Sequence, residues 1–196
     1  MSALAASCDD AASKGSAGSR FDTVKKSAGA TLNGAAARNF CEKQWPVGEG
    51  GKKLAAIPER AIPGGPQAPA SKPGAWRWVN LWATWCHPCV EEMALLGKWK
   101  SSLEKDGVPL NLELWSVDDD EKALTSWLGK TAMPGRVRWV RSLEDLPAIL
   151  DNLGADKASA IPVHALIDGN GNLRCLRVGA VHDEDYGAIK AILSGA

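Results

Sequence analysis

The sequence predicts an α/β fold, a mixed central sheet flanked by helices on both faces. Three observations predict it. A nearly continuous apolar run from Trp76 to Trp82 reads as a strand buried on both sides. Strand-like and helix-like stretches then alternate, the pattern of parallel strands joined by crossover helices. Near the end, two strand-like runs flank Asp168-Gly169-Asn170-Gly171-Asn172, a hairpin signal that brings in antiparallel pairing.

Residues 1–33 are rich in Ala, Ser, Gly and Lys and are expected to form a flexible tether. Residues 34–74 are expected to be an irregular lead-in that packs on the domain. It opens with a short helix from Ala35 to Gln44, ended by Trp45-Pro46. Its Gly/Pro density beyond Pro46 leaves room only for short extended pieces, around Lys53 to Ile57 and Arg60 to Ile62.

The domain proper is expected over residues 75–196. After the first strand, Pro88 to Lys105 reads as a helix whose apolar face is Cys89, Met93, Leu96, Trp99 and Leu103. Leu110, Leu112 and Leu114 alternate with polar partners, giving a strand from Leu110 to Val117. Asp118-Asp119-Asp120-Glu121 sets acids at the positive end of a helix running to about Lys130. Met133-Pro134-Gly135 breaks the chain before a short strand, Val137 to Val140. Ser142, with Asp145 three residues on, caps a helix through Leu153 that Gly154 stops. Val163 to Ile167 and Leu173 to Val178 are the hairpin strands, and Asp183 to Leu193 closes as a helix.

Charge excludes some partners. Lys plus Arg equals Asp plus Glu at 23 each, so nothing points to nucleic acid or an anionic membrane surface. No run of about 18 apolar residues is present to span a membrane. Met1 to Ser7 is too short for a secretory signal peptide. Leu4-Ala5-Ala6-Ser7-Cys8 nevertheless resembles a bacterial lipoprotein processing site, which makes Cys8 a candidate lipid anchor; the alternative is an accidental Ala/Ser-rich terminus. Were Cys8 lipidated and the close pair Cys86 and Cys89 set aside, Cys41 and Cys175 would remain as a candidate structural disulfide, suited to an oxidising compartment. The nine tryptophans are scattered singly and read as packing residues.

Val79-Asn80-Leu81-Trp82-Ala83-Thr84-Trp85-Cys86-His87-Pro88-Cys89 carries the chemistry. A Cys-x-x-Cys pair serves either a structural zinc ion, which needs two more ligands at regular spacing, or a dithiol redox centre, which needs only the pair. The other cysteines are isolated, and His87, His164 and His182 supply no such spacing. Cys86 would stand at the helix N-cap, where unpaired N–H groups favour a thiolate nucleophile. Cys89, one turn further in on the apolar face, would be the resolving thiol. Pro88 suits an early helical position. Trp85, His87 and Pro88 are the residues placed to tune the pair. A protonated His87 would stabilise the thiolate and make the couple more oxidising; a solvent-facing His87 would do little. The dithiol needs no cofactor, and no metal ligand set is read.

This segment resembles the active site of the thioredoxin superfamily, and Asn80, Ala83-Thr84 and Glu91-Glu92 resemble its TlpA-like extracytoplasmic branch. The likeness continues through Leu114-Trp115-Ser116-Val117-Asp118, Ala160-Ile161-Pro162-Val163 and Leu166-Ile167-Asp168-Gly169-Asn170-Gly171, and covers residues 75–196. It implies a thioredoxin-like fold in which Pro162 is a cis proline facing the cysteines, with Ile161 and Pro162 pairing to a bound peptide. It also implies protein substrates bearing cysteines or disulfides, a membrane redox partner that gives or takes electrons, and a periplasmic or other extracytoplasmic location.

Two departures stand out. Asn80 occupies the position where cytoplasmic thioredoxins carry a proton-accepting aspartate, and an amide cannot take that role. TlpA-like reductases carry a glutamate at the position of Glu92, one turn beyond Cys89, so the resemblance makes Glu92 the candidate for proton transfer, against the reading of a solvated helix glutamate. The second departure is a helical insert, Arg136 to Lys157, to which no function attaches. The favoured activity is reduction of protein disulfides. The alternatives are disulfide formation, Cu(I) handling by Cys86 and Cys89 with His87 or His164, and a redox-silent interaction module.

Overall fold

A computed structural model of the chain describes residues 38–45, 52–65 and 71–194. The expected tether over 1–33, with Cys8, lies outside the described residues. The framework is a seven-stranded mixed sheet in the order β1-β7-β6-β3-β4-β5-β2. Its strands are β1 (Lys43–Gln44), β2 (Glu59–Arg60), β3 (Trp76–Trp82), β4 (Leu110–Ser116), β5 (Arg136–Val140), β6 (Val163–Ile167) and β7 (Leu173–Val178). The α-helices are α1 (His87–Lys105), α2 (Glu121–Leu128), α3 (Leu146–Leu153) and α4 (Tyr186–Ser194), with short 3-10 turns leading into α3 and α4.

β3 runs parallel to β4 and antiparallel to β6, so the sheet changes sense beside its central strand. Consecutive residues of β3, β4 and β6 are buried, which means that both faces of the sheet are covered. One face carries Trp78, which stacks on Trp99 of α1 with ring centroids 6.2 Å apart; Trp99 in turn meets Tyr186 of α4 at 5.7 Å. Trp78, Trp82, Trp99, Trp115 and Trp139 are fully buried, as packing residues should be.

Three expectations need correction. The chain is helical only through Phe40 within residues 38–45, and Lys43–Gln44 is a strand, not the end of a helix. The open edge of β7 offers unpaired backbone groups, and β1 satisfies them with Gln44 opposite Cys175. The disulfide between Cys41 and Cys175, Cα atoms 5.4 Å apart, fixes this pairing. The stretch from Arg136 is not simply a helical insert: β5 joins the sheet parallel to β4, and β2 of the lead-in pairs on its outer side. Finally, the partners that alternate with the leucines of β4 are not all polar: Trp115 stands among them, and it and Glu113 are buried on the opposite face.

The hairpin forms as expected. Asp168 accepts hydrogen bonds from the backbone N–H groups of Asn170 and Asn172 and from Arg174, and Gly171 takes a φ of +82° that a side chain would resist. At the end of α3, Gly154 takes φ +84° as a left-handed cap.

Candidate functional site

The site lies where β3 ends and α1 begins. Cys86 is the N-cap of α1 in extended conformation, and Pro88 falls in the first turn, where no backbone donor is required. Cys86 and Cys89 are joined as a disulfide, Cα atoms 5.3 Å apart. Cys86 is 6% exposed and Cys89 is fully buried, so a partner can approach only the first sulfur.

Trp85 is 66% exposed beside the pair. The Ile161–Pro162 peptide bond is cis, and the Ile161 carbonyl oxygen lies 3.8 Å from Cys86 Sγ. Residues 75 apart in sequence thus form one surface around Cys86 Sγ. His87 is exposed and turns its Nδ1 to Glu91, 3.3 Å away, one turn along α1.

The turn before Cys86 is clamped from β4. The Asp118 carboxylate accepts from the Thr84 backbone N–H at 3.0 Å, from the Thr84 hydroxyl at 2.6 Å and from the Ser116 hydroxyl at 2.7 Å. Its carbonyl accepts from Trp139 Nε1 at 2.7 Å and from Arg60 at 2.9 Å. Asp118 therefore turns inward, and only Asp120 caps α2, through the N–H groups of Lys122 and Ala123. β5 and β2 consequently have a structural connection to the turn that presents Cys86.

Glu92 is only 3% exposed, and this buried position overturns the solvated reading. Its Oε1 accepts from Asn80 Nδ2 at 3.0 Å, and its Oε2 accepts from the Val181 N–H at 2.9 Å. The ring of His164 completes the group, with Nε2 3.3 Å from Glu92 Oε2. α1, β3, β6 and the segment after β7 all meet at this carboxylate. Sequence reasoning missed His164 here, weighing it only as a metal ligand. Its signal was available: a histidine inside the apolar strand Val163-His164-Ala165-Leu166-Ile167 must be buried, and a buried imidazole needs partners. Among the described residues, no group of three or more His, Cys, Asp or Glu is arranged to hold a metal ion.

No family model matches the chain, and no curated protein matches it in sequence. Solved structures do match it in shape. A protein assigned as the thiol:disulfide interchange protein DsbE from Chlorobium tepidum superposes with a TM-score of 0.55 at 17% identity, covering 74% of this chain and 95% of that one. A thioredoxin-related protein from Neisseria meningitidis serogroup B gives 0.54 at 21% identity, over 67% and 93%. The chain has a thioredoxin-like fold. A thiol:disulfide interchange protein from Bacteroides sp. gives 0.53 at 17% identity, over 74% and 91%. Within this thioredoxin-like frame the dithiol, the cis proline and the buried glutamate occupy one end of β3 and β6.

Proposed function

We propose that the chain is an extracytoplasmic thiol–disulfide oxidoreductase that reduces disulfides in protein clients. The observation that carries this reading is the Cys86–Cys89 disulfide at a helix N-terminus, with its accessible sulfur beside the cis Ile161–Pro162 peptide. The solved structures of similar shape that are named as thiol:disulfide interchange proteins support it. The buried Cys41–Cys175 disulfide supports an oxidising compartment. The small residues before Cys8 support a lipid tether there.

In the reduced protein the Cys86 thiolate, favoured by the N–H groups of the first turn of α1, attacks one sulfur of a client disulfide. A Cys86–client disulfide forms, the client bond breaks, and the departing client thiolate takes a proton from solvent. The Cys89 thiol then passes its proton to Glu92 and attacks Cys86 Sγ. The internal disulfide forms and the second client thiolate leaves and is protonated. Two electrons have moved from the dithiol to the client. A dithiol donor, for which a membrane redox protein is the expected partner, resets the pair. Ile161 and Pro162 hold the client backbone against Cys86, and the exposed Trp85 packs on it.

The exposure of His87 favours the reducing direction over disulfide formation, because a solvated imidazole does little to stabilise the Cys86 thiolate. A reduction potential near thioredoxin's ~ −270 mV is expected, and one near ~ −120 mV would reverse the assignment. Replacing Cys89→Ser should leave Cys86 covalently joined to a disulfide-bearing client. Wild-type rates of disulfide reduction in a Cys86→Ser variant would end this reading.

A further inference from the structure

His164 is a buried titratable residue that the exchange scheme above does not use. The β3–β6 register sets it directly opposite Asn80, on the face that also carries Trp78. Trp78 Nε1 donates to His164 Nδ1 at 3.2 Å, and Asn80 Nδ2 lies 3.3 Å from the same nitrogen. An indole N–H and an amide NH2 can only donate. Nδ1 must therefore present its lone pair, which leaves the imidazole neutral with its proton on Nε2.

The orientations of both side chains are fixed by their neighbours. Reversing the Asn80 amide would set its oxygen against Glu92 Oε1 and His164 Nδ1, two acceptors. Reversing the imidazole would leave the Trp78 N–H facing carbon. Among the described residues Nε2 makes no aligned hydrogen bond, yet it is buried and lies 3.3 Å from Glu92 Oε2. Of the charged groups around it, α1 contributes Glu92. β7 contributes Arg177, the cross-strand neighbour of His164, whose guanidinium is taken up by the Ala180 carbonyl at 3.0 Å and by Asp185 at 3.4 Å. The residues that β3 turns to His164, Trp78 and Asn80, are uncharged.

We propose that His164 is a positioning residue for the exchange: held as the neutral Nε2–H tautomer by Trp78 and Asn80, it keeps that nitrogen 3.3 Å from Glu92 Oε2 and so governs how readily Glu92 accepts the Cys89 proton. This rests on Glu92 being the proton acceptor. In the step, the Cys89 S–H bond breaks and an O–H bond forms at Glu92 Oε1, which accepts from Asn80, while Oε2 keeps its hydrogen bond from the Val181 N–H with His164 Nε2 beside it. His164 keeps its own proton throughout. The histidine is thus neither the base nor a metal ligand, and its effect is felt only through the carboxylate.

Two measurements on the full chain test this. Nitrogen-15 NMR of the His164 ring at neutral pH should find Nδ1 unprotonated and Nε2 protonated in both redox states. The second follows Cys89 displacing a thionitrobenzoate adduct from Cys86 as a function of pH. His164→Leu, which removes the imidazole beside Oε2, should move the midpoint of that profile upward by up to about one pH unit, with a full hydrogen bond to a charged group as the ceiling. His164→Gln, which can return an N–H to Oε2, should move it less. A proton on Nδ1 in the wild type, or a leucine profile that superimposes on the wild type, overturns the proposal. A wild type whose Cys89 never displaces the adduct overturns the exchange reading itself and the role with it, while the tautomer remains decided by the spectrum.

Discussion

Glu92 and Glu113 are both buried, but the sheet separates them and their neighbours differ in kind. Glu113 lies opposite Val79 in the β3–β4 register, on the face turned away from Trp78 and Asn80. Arg77 grips it with two hydrogen bonds of 2.9 Å, and Trp115 Nε1 adds a third at 3.1 Å. Burial pushes the Glu113 carboxyl up, but the Arg77 hydrogen bonds and charge, together with Trp115 and the nearby Arg138, hold it below its ordinary value. Glu92 instead accepts hydrogen bonds from the amides of Asn80 and Val181. Protonating Glu113 would strand a partly buried guanidinium, whereas protonating Glu92 strands no cation. Burial alone does not mark a carboxylate as chemical; the charge of its partners does.

Exchanging the two glutamates for glutamine tests that distinction. Glu92→Gln should slow the displacement of a Cys86 adduct by Cys89 about 100-fold, the usual range for losing a general base, measured by stopped-flow absorbance. Its cost in stability should be only about 1 kcal/mol, one imperfect hydrogen-bond set. Glu113→Gln should do the reverse. Urea titration should find a loss of about 3 kcal/mol, at the low end for a broken buried pair because Arg77 is partly exposed, with the exchange rate unchanged. A rate loss in Glu113→Gln equal to that in Glu92→Gln would erase the difference between the two sites.

The smallest effect is seen in acid. The folded value of Glu113 lies below the ordinary 4.5, so the unfolded chain binds its proton more readily. The stabilisation is complete above about pH 4.5 and disappears as pH falls through the lower folded value. Asp168 behaves in the same way: burial raises it, but Asn172 and Arg174 hold it below its usual range. Urea midpoints measured from neutral to acid pH should therefore fall more steeply for the wild type than for Glu113→Gln, and the difference isolates Glu113. Parallel curves would show that the Arg77 pair contributes no pH dependence.

Local pattern revealed most of the central fold. The strands Trp76–Trp82, Val163–Ile167 and Leu173–Val178 and the helix behind Cys86 carry their periodicity in neighbouring residues, so no distant contact was needed to find them. The edges were less visible. β5, Arg136–Val140, could be found as a short strand from Val137, but its place in the sheet between β4 and β2 could not. In the fold, Arg138 lies 4.7 Å over the Trp115 ring, while Arg60 from β2 covers Trp139 at 3.5 Å. β1 exists because β7 needs an edge partner, a requirement set more than a hundred residues away.

The site divides in the same way. Glu92 could be singled out because Cys89 lies one turn before it. Its burial could not, because that depends on Asn80, His164 and Val181 arriving from three separate segments. His164 meets Asn80 only through β3–β6 pairing across 84 positions. Asp118 looked like one member of an acidic cap, and only the fold reveals that it holds Thr84.

The Cys41–Cys175 bond spans 134 positions and so closes nearly the whole described domain into a covalent ring, with the Cys86–Cys89 pair inside it. A single protease cut at the exposed turn around Gly107, just after α1, opens that ring without separating its halves, because the chain on either side of the cut is still joined through sulfur. Loss of one backbone bond and loss of the molecule are therefore different events, and a nicked copy keeps the Cys86–Cys89 pair and the cis Ile161–Pro162 peptide on one particle.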